Sequence, residues 1–367
     1  MMLTDKKSLL TFVVQTTCMR IRNLTLILFL TGMISTAKAQ LADSTGLHGQ
    51  LADSTKAYVW DCVNIMQKQS LYSGRVNWNL TRDSVARMLN SSSTLREAED
   101  IVIWVFKKLE DHHGMYGGID TSYRYPAPGP ARKMSESILS EYKKPRAVKI
   151  QMLSNDIAYY KMPAVLIGSN TEKMKEWANL MMDSLCSLAS NHPRAFVIDL
   201  RMNNGGNSEP MWQTLRHLIG EKNRVRLVDA DGKVVKEETG SEITKYRQAG
   251  MPDRLCTLDD RLPVAVLIGP GTASSGEIMA LSFSTRKNTR LFGEPTYGVA
   301  NATNGFVIRE KGYLLLTVSY LSDGKKKMLR QMTVQPDVLV NNSGDNFADP
   351  LKDATVMEAM GWLRRKM

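Results

Sequence analysis

Cysteine and histidine are scarce in this 367-residue chain, with four of the first and five of the second. None of the cysteines stands in a Cys-x-x-Cys pair or a Cys/His cluster, so neither a zinc ribbon nor a thioredoxin-type redox motif is encoded. No Gly-Lys-Ser/Thr follows a glycine loop, which excludes a P-loop. Long apolar runs are missing as well: none reaches the roughly 18 residues that a membrane-spanning helix needs, so no stable membrane insertion is expected. A net charge of +11 carries no basic stripe interleaved with aromatics, so no nucleic-acid partner is expected. With 43% hydrophobic and 23% charged residues, the composition is that of a folded globular protein rather than a disordered one. The length suits about two domains, or one with an accessory piece.

The basic excess is concentrated at the N-terminus. Residues 1–39 hold Lys6, Lys7, Arg20, Arg22 and Lys38 against a single acid, Asp5. Within them, Arg20 and Arg22 precede the apolar stretch Leu24–Ile34, followed by Ala37-Lys38-Ala39. That order matches a signal peptide cleaved before Gln40, with residues 1–18 as an upstream misread start and Met19 as the initiator. The mature chain is therefore expected to be exported, periplasmic or extracellular. Cys18 would be discarded, leaving Cys62, Cys186 and Cys256. Cys186 falls on an apolar helical pattern and reads as core; one disulfide is compatible with the count, but no pairing can be inferred.

Two copies of Leu-Ala-Asp-Ser-Thr, at 41–45 and 51–55, open the mature chain without making a repeat protein. Residues 40–115 then read as an N-terminal helical subdomain. Its clearest helix begins at the capping box Thr94-Leu-Arg-Glu97 and lays Leu95, Ala98, Ile101, Val102, Val105, Phe106 and Leu109 along one face. It stops near Gly114, which puts Asp111-His112-His113 at a helix end. Residues 116–149 are rich in Gly and Pro and read as a connector or lid. From 150 to 345, apolar strands (157–162, 195–200, 264–268) alternate with helices (around 174–188, 210–219 and 277–284), predicting an α/β core with a covered sheet. Residues 346–367 close the chain with a helix.

Two glycine loops follow buried strands, where α/β sheets tend to bind ligands. Gly271-Thr-Ala-Ser-Ser-Gly-Glu277 puts Ser274 and Ser275 at a helix N-terminus, where free amides favour a developing anion. The same serines could simply cap the helix. Thr272 occupies the place of the first glycine of a Gly-x-Ser-x-Gly elbow, so the α/β-hydrolase motif does not fit. In Asp199-Leu-Arg-Met-Asn-Asn-Gly-Gly206, the glycine pair lets the backbone approach something closely, or makes an ordinary turn. The histidines of Asp111-His112-His113 are candidate bases near neutral pH. They lack companion metal ligands, while His48, His192 and His217 read as lead-in or structural.

Together these segments resemble the C-terminal processing peptidases, the tail-specific protease and tricorn-core family. The resemblance rests on Phe196-Val-Ile-Asp-Leu-Arg-Met-Asn-Asn-Gly-Gly206, Thr272-Ala-Ser-Ser-Gly-Glu-Ile278, Leu291-Phe-Gly-Glu-Pro-Thr-Tyr-Gly298 and Gln335-Pro-Asp-Val338, in the family's order. It spans residues 55 to 340 and implies a serine peptidase with a crotonase-like or ClpP-like core. The family nucleophile falls on Ser274, three residues before Glu277. In the serine/lysine branch the base follows the glycine that is Gly298 here; Val299 stands there and cannot accept a proton. The tricorn-like branch takes its base from a Leu-x-Asp-x-His motif, which Leu109-Glu-Asp-His-His113 matches and which selects His113 over His112. Gly114 stands where relatives often carry serine. The residue that orients the imidazole is left open, with Asp111 and Glu277 as supporting candidates. The amides of Gly205, Gly206 and Ser275 are the expected oxyanion donors.

No PDZ domain fits between His113 and the core. The resemblance implies a peptide or protein substrate, no cofactor and no metal, and is compatible with a homo-oligomer. Lys143, Lys144, Arg146 and Lys149 read as a solvated basic surface or as contacts for a substrate carboxylate. Rival readings are a non-catalytic binding module on the same fold, as in retinoid-binding repeats, and a crotonase-type acyl-transfer enzyme.

Overall fold

The computed structural model describes residues 51–126, 133–235, 241–322, 328–329 and 332–367. The signal-like segment, Cys18, the first Leu-Ala-Asp-Ser-Thr copy and His48 lie outside the described residues. The chain begins with three helices, α1 (Asp53–Gln69), α2 (Trp78–Ser91) and α3 (Leu95–Lys107). Strands β1 (Met115–Gly117) and β2 (Ser122–Arg124), helix α4 (Glu136–Tyr142) and strands β3 (Lys149–Met152) and β4 (Ile157–Lys161) follow. Next come α5 (Thr171–Ala189), β5 (Ala195–Asp199), α6 (Ser208–Ile219), β6 (Arg226–Val228) and α7 (Ser241–Gly250). Then β7 (Val264–Ile268) leads into α8 (Ser275–Ser284), β8 (Thr289–Gly293), β9 (Ala302–Ile308) and β10 (Gly312–Ser322). Strands β11 (Met328–Leu329) and β12 (Val338–Leu339) and helix α9 (Ala354–Arg364) end the chain.

Two sheets organise these elements. One has the order β12-β8-β7-β5-β4-β3, parallel throughout except for the antiparallel edge strand β3. All five residues of β5 and of β7 are buried, because helices cover both faces. Alternate side chains divide the strand between two cores: Phe196 and Ile198 pack with α5, α6 and α8, and Ala195 and Val197 with α9. The other sheet is built on β10, which pairs with β1, β6, β9 and β11, while β2 pairs with β1. Tyr58, Val63 and Met66 of α1 and Val102 and Phe106 of α3 share a core with Leu314 and Leu316 of β10. Within the segment expected to be a connector, the hairpin β1–β2 adds to this sheet. Its turn is held by the buried Glu99 carboxylate, which accepts the amides of Ile119 and Asp120.

The capping box at Thr94 and Glu97 forms with both of its hydrogen bonds. Helix α3 then ends at Lys107, earlier than the apolar stripe suggests, and Glu110 makes the turn with φ 52°. Gly114 serves a different need from stopping a helix: a Cβ there would lie 2.6 Å from Asp111 Oδ2 and 2.8 Å from the Leu315 carbonyl. Cys186 also departs from expectation. It is half-buried and disulfide-bonded to Cys256, which ties α5 to the segment after α7, while Cys62 is a free, buried thiol. The odd cysteine count hid this pairing, because nothing in the spacing singles out the partner. No helix among the described residues is long and apolar enough to cross a membrane.

Candidate active site

Both glycine loops emerge from the carboxyl ends of neighbouring parallel strands, the first from β5 and the second from β7. Their packing is close enough to require glycine. A Cβ on Gly206 would lie 2.1 Å from the Val165 carbonyl, and one on Gly205 would lie 2.7 Å from Ser274 Cβ. Both glycines have φ near +100°, where a side chain would also be strained. Gly276 meets the Asn203 carbonyl in the same way, at 2.3 Å from its would-be Cβ. The first loop is therefore pressed directly against the start of α8.

Ser274 occupies the helix-capping position, yet its backbone is not that of a cap. Thr94, Ser135 and Asp353 cap their helices in extended conformations, whereas Ser274 has φ 52° and ψ −118°. This is costly for a residue with a Cβ, by about 1–3 kcal/mol, and such strain persists only where surrounding contacts impose it. The contacts here are explicit. The Ser274 N–H donates to Glu277 Oε2 at 2.8 Å, and Ala273 donates to the Asn203 carbonyl at 3.0 Å. The Ser275 hydroxyl donates to the Gly206 carbonyl at 2.6 Å, which fastens the two loops together.

Glu277 is fully buried and holds backbone rather than the imidazole. Its carboxylate accepts from the amides of Ser274, Gly298 and Val299 and from the Thr296 hydroxyl. Burial pushes its carboxyl up to about 7, against those four donors. Asp111, also fully buried, accepts the amides of His113, Gly114 and Thr317 and the Thr317 hydroxyl, pinning the histidine loop to β10. Neither carboxylate therefore orients the ring. That contact belongs to Asn301, whose Oδ1 accepts from His113 Nδ1. Asn301 Nδ2 donates to the Tyr72 hydroxyl at 3.1 Å, which sets the amide's orientation. The Arg75 guanidinium lies 3.9 Å over the Tyr72 ring.

With Nδ1–H committed to Asn301, the lone pair of His113 sits on Nε2, the tautomer that a general base needs. His113 is 9% exposed, and burial holds its pKa below the ordinary histidine value, although Asn301 and Asp111 act in the opposite sense. His112 points elsewhere, its Nδ1 against the Pro126 carbonyl and its ring edge-on to Tyr125. A continuous set of hydrogen bonds links the two candidate residues. It runs from His113 to Asn301, from the Asn301 amide to the Val299 carbonyl, and from Val299 through Glu277 to the Ser274 amide.

Among the three expected oxyanion donors, the Gly205 N–H is already given to Asn203 Oδ1 at 3.0 Å. Asn301 is the residue that sequence reasoning missed. It stands two positions beyond Val299 and three after the end of the Gly-Glu-Pro-Thr-Tyr-Gly motif, and a polar residue there was the available signal. Among the described residues, no group of three or more His, Cys, Asp or Glu side chains is placed to hold a metal ion.

Residues 156–340 match the profile of peptidase family S41. The nisin-resistance protein of Lactococcus lactis subsp. lactis is 21% identical over 82% of this chain and 87% of its own length. A chloroplastic carboxyl-terminal-processing peptidase 2 of Arabidopsis thaliana is 26% identical over 51% of the chain, but over only 36% of its own length. Among solved structures, a lipoprotein from Streptococcus agalactiae superposes with a TM-score of 0.64 at 19% identity, covering 86% of this chain and 98% of that one. The photosystem II D1 C-terminal processing protease gives 0.55 at 13% identity, covering 81% and 95%. At these identities the structures attest the fold alone, a mixed α/β arrangement. The profile match covers half the chain, and with it the chain belongs to peptidase family S41, as a serine peptidase.

Proposed function

We propose that the protein is an exported peptidase that cleaves peptide bonds through an acyl-enzyme, with Ser274 as nucleophile and His113 as base. The observation that carries this reading is the strained Ser274 backbone at the start of α8, pressed against Gly205 and Gly206. A serine that only capped the helix would need no such conformation. In the proposed mechanism, Ser274 Oγ attacks the scissile carbonyl carbon and passes its proton to His113 Nε2. The Gly206 and Ser275 amides then hold the oxyanion, each worth about 3 kcal/mol in the transition state. His113 returns the proton to the leaving amine, and water hydrolyses the acyl-serine by the reverse sequence. Asn301 keeps the imidazole in the required tautomer, in the place that a carboxylate takes in Ser-His-Asp enzymes and an asparagine in papain-like ones.

On this reading, helices α1 to α3 form a subdomain whose Tyr72 completes the site, and the sheet from β3 to β12 belongs to a crotonase/ClpP-like core. The signal-like N-terminus supports export, as does the description of one structural neighbour as a lipoprotein. The test is covalent labelling with a fluorophosphonate probe, followed by peptide mapping. Label on Ser274, absent from Ser274→Ala and strongly slowed in His113→Ala, is the expected outcome. A folded protein with no label on Ser274 would sink the mechanism and favour a binding module.

A further inference from the structure

A cavity of about 960 Å³ begins one turn along α8 from Ser274. Ile278, Met279 and Ser282 line it from that helix, Ser208 from just after the Gly205–Gly206 loop, and Ala302 from the position after Asn301. Ile278 and Ser282 stand four and eight residues from Ser274, about 6 and 12 Å along the helix at about 1.5 Å per residue. An extended peptide rises about 3.3 Å per residue, so one laid along α8 would bring side chains about two to four residues from the scissile bond to the cavity. Its inner wall is apolar: Trp212, Val225, Met279 and Leu321 are all buried.

The rim has the opposite character. Lys68, Lys222, Arg224 and Arg226 line it, all exposed, and none makes an ion pair among the described residues. The two carboxylates of the lining are already engaged, Glu209 by Gln213 at 2.7 Å and Glu221 by Arg216 at 3.9 Å. Arg224 and Arg226 flank the buried Val225, so an extended backbone turns both guanidinium groups to one side. The Arg224 guanidinium carbon also lies 4.8 Å from the Trp212 ring centroid, which holds a donor fork against the apolar wall. Unpaired cations around a concave apolar surface focus a positive potential into it.

Resting on the peptidase reading above, we propose that this cavity selects substrates with acidic side chains beside an apolar residue, two to four positions from the cleaved bond. The cations supply charge complementarity, and the wall from Trp212 to Leu321 takes the apolar neighbour.

The experiment compares quenched-fluorescence decapeptides that share one apolar pair and carry Glu or Lys at each of those positions, on wild type and on K222E/R226E. That double variant leaves the Arg224–Trp212 stack in place, and its thermal melt checks the fold. The Glu peptides should show kcat/KM about tenfold or more above the Lys peptides. The ratio should shrink at high salt, where charge attraction is screened, and should collapse or invert in the variant. Active wild-type protein that cleaves both sets equally, or a ratio unmoved by the variant, would overturn the proposal. Failure of the peptidase reading shows separately, as no label on Ser274 and no cleavage. Fluorescence anisotropy with dye-labelled versions of the same peptides then decides: tighter Glu-peptide binding that the variant loses supports the proposal, and equal or absent binding overturns it.

Discussion

Asn301 and His113 illustrate how a neutral amide changes the behaviour of a buried imidazole. Burial already disfavours the imidazolium, and an amide oxygen on Nδ1–H stabilises it less than a carboxylate would. His113 therefore stays neutral below its ordinary pKa, and the acid limb of the kcat/KM–pH profile should lie below about 6.5. The same shift enters stability with a defined sign. A depressed folded-state pKa contributes stability that is present above the ordinary value and lost as pH falls through the folded one. Asn301→Asp places a carboxylate on Nδ1–H, raises the imidazole pKa and should move the acid limb upward. Asn301→Ala should lower kcat on the order of 10²-fold, since the ring loses its anchor. A purely structural Asn301 would predict unfolding in both variants with no movement of the pH limb, so the profile separates the two roles.

At the scale of elements, the site depends on a loop and a helix start forced together. Gly206→Ala puts a Cβ into the Val165 carbonyl at a backbone angle that L side chains rarely adopt. The expected cost is about 1–3 kcal/mol in stability. If the Gly206 amide serves the oxyanion, kcat/KM also falls by about 10²–10³. Melting midpoints and steady-state kinetics on the same preparation check both, and unchanged turnover would remove Gly206 from the oxyanion site. Glu277 serves the same junction from the other side, because its four donors tie the start of α8 to residues 296–299. Glu277→Ala leaves three amides and a hydroxyl without their acceptor. It should lower the melting temperature and slow probe labelling of Ser274 together.

For the whole molecule, the closing helix is fastened to the central sheet by charge. Arg201, following β5 and 2% exposed, pairs with Asp199, Asp345 and Asp353, the last of which caps α9. Three carboxylates face one guanidinium, and burial with the neighbouring Asp353 pushes the Asp345 carboxyl up to about 6, although Arg201 opposes this. A raised folded-state pKa contributes stability that is full below the unfolded value and lost as pH rises through about 6. Asp345→Asn should accordingly gain stability relative to wild type as pH rises from 4 to 7, read from denaturant midpoints across that range. The Cys186–Cys256 disulfide closes a 70-residue separation, and its removal as Cys186→Ser/Cys256→Ser should cost about 2–5 kcal/mol.

What the sequence determined by itself was local or strictly periodic. Apolar runs of four and five residues specified β5 and β7, and the capping box specified the start of α3. Four ordered motifs marked the family and the loops around Ser274, because each depends on neighbours a few residues apart. The tertiary structure decided which distant groups meet. Asn301 reaches His113 across 188 positions, Cys186 finds Cys256 across 70, and the Gly205 amide turns to Asn203 rather than into the site. Those pairings follow from the packing of the two sheets and their helices, and a one-dimensional pattern carries no term for contacts whose separation packing alone sets.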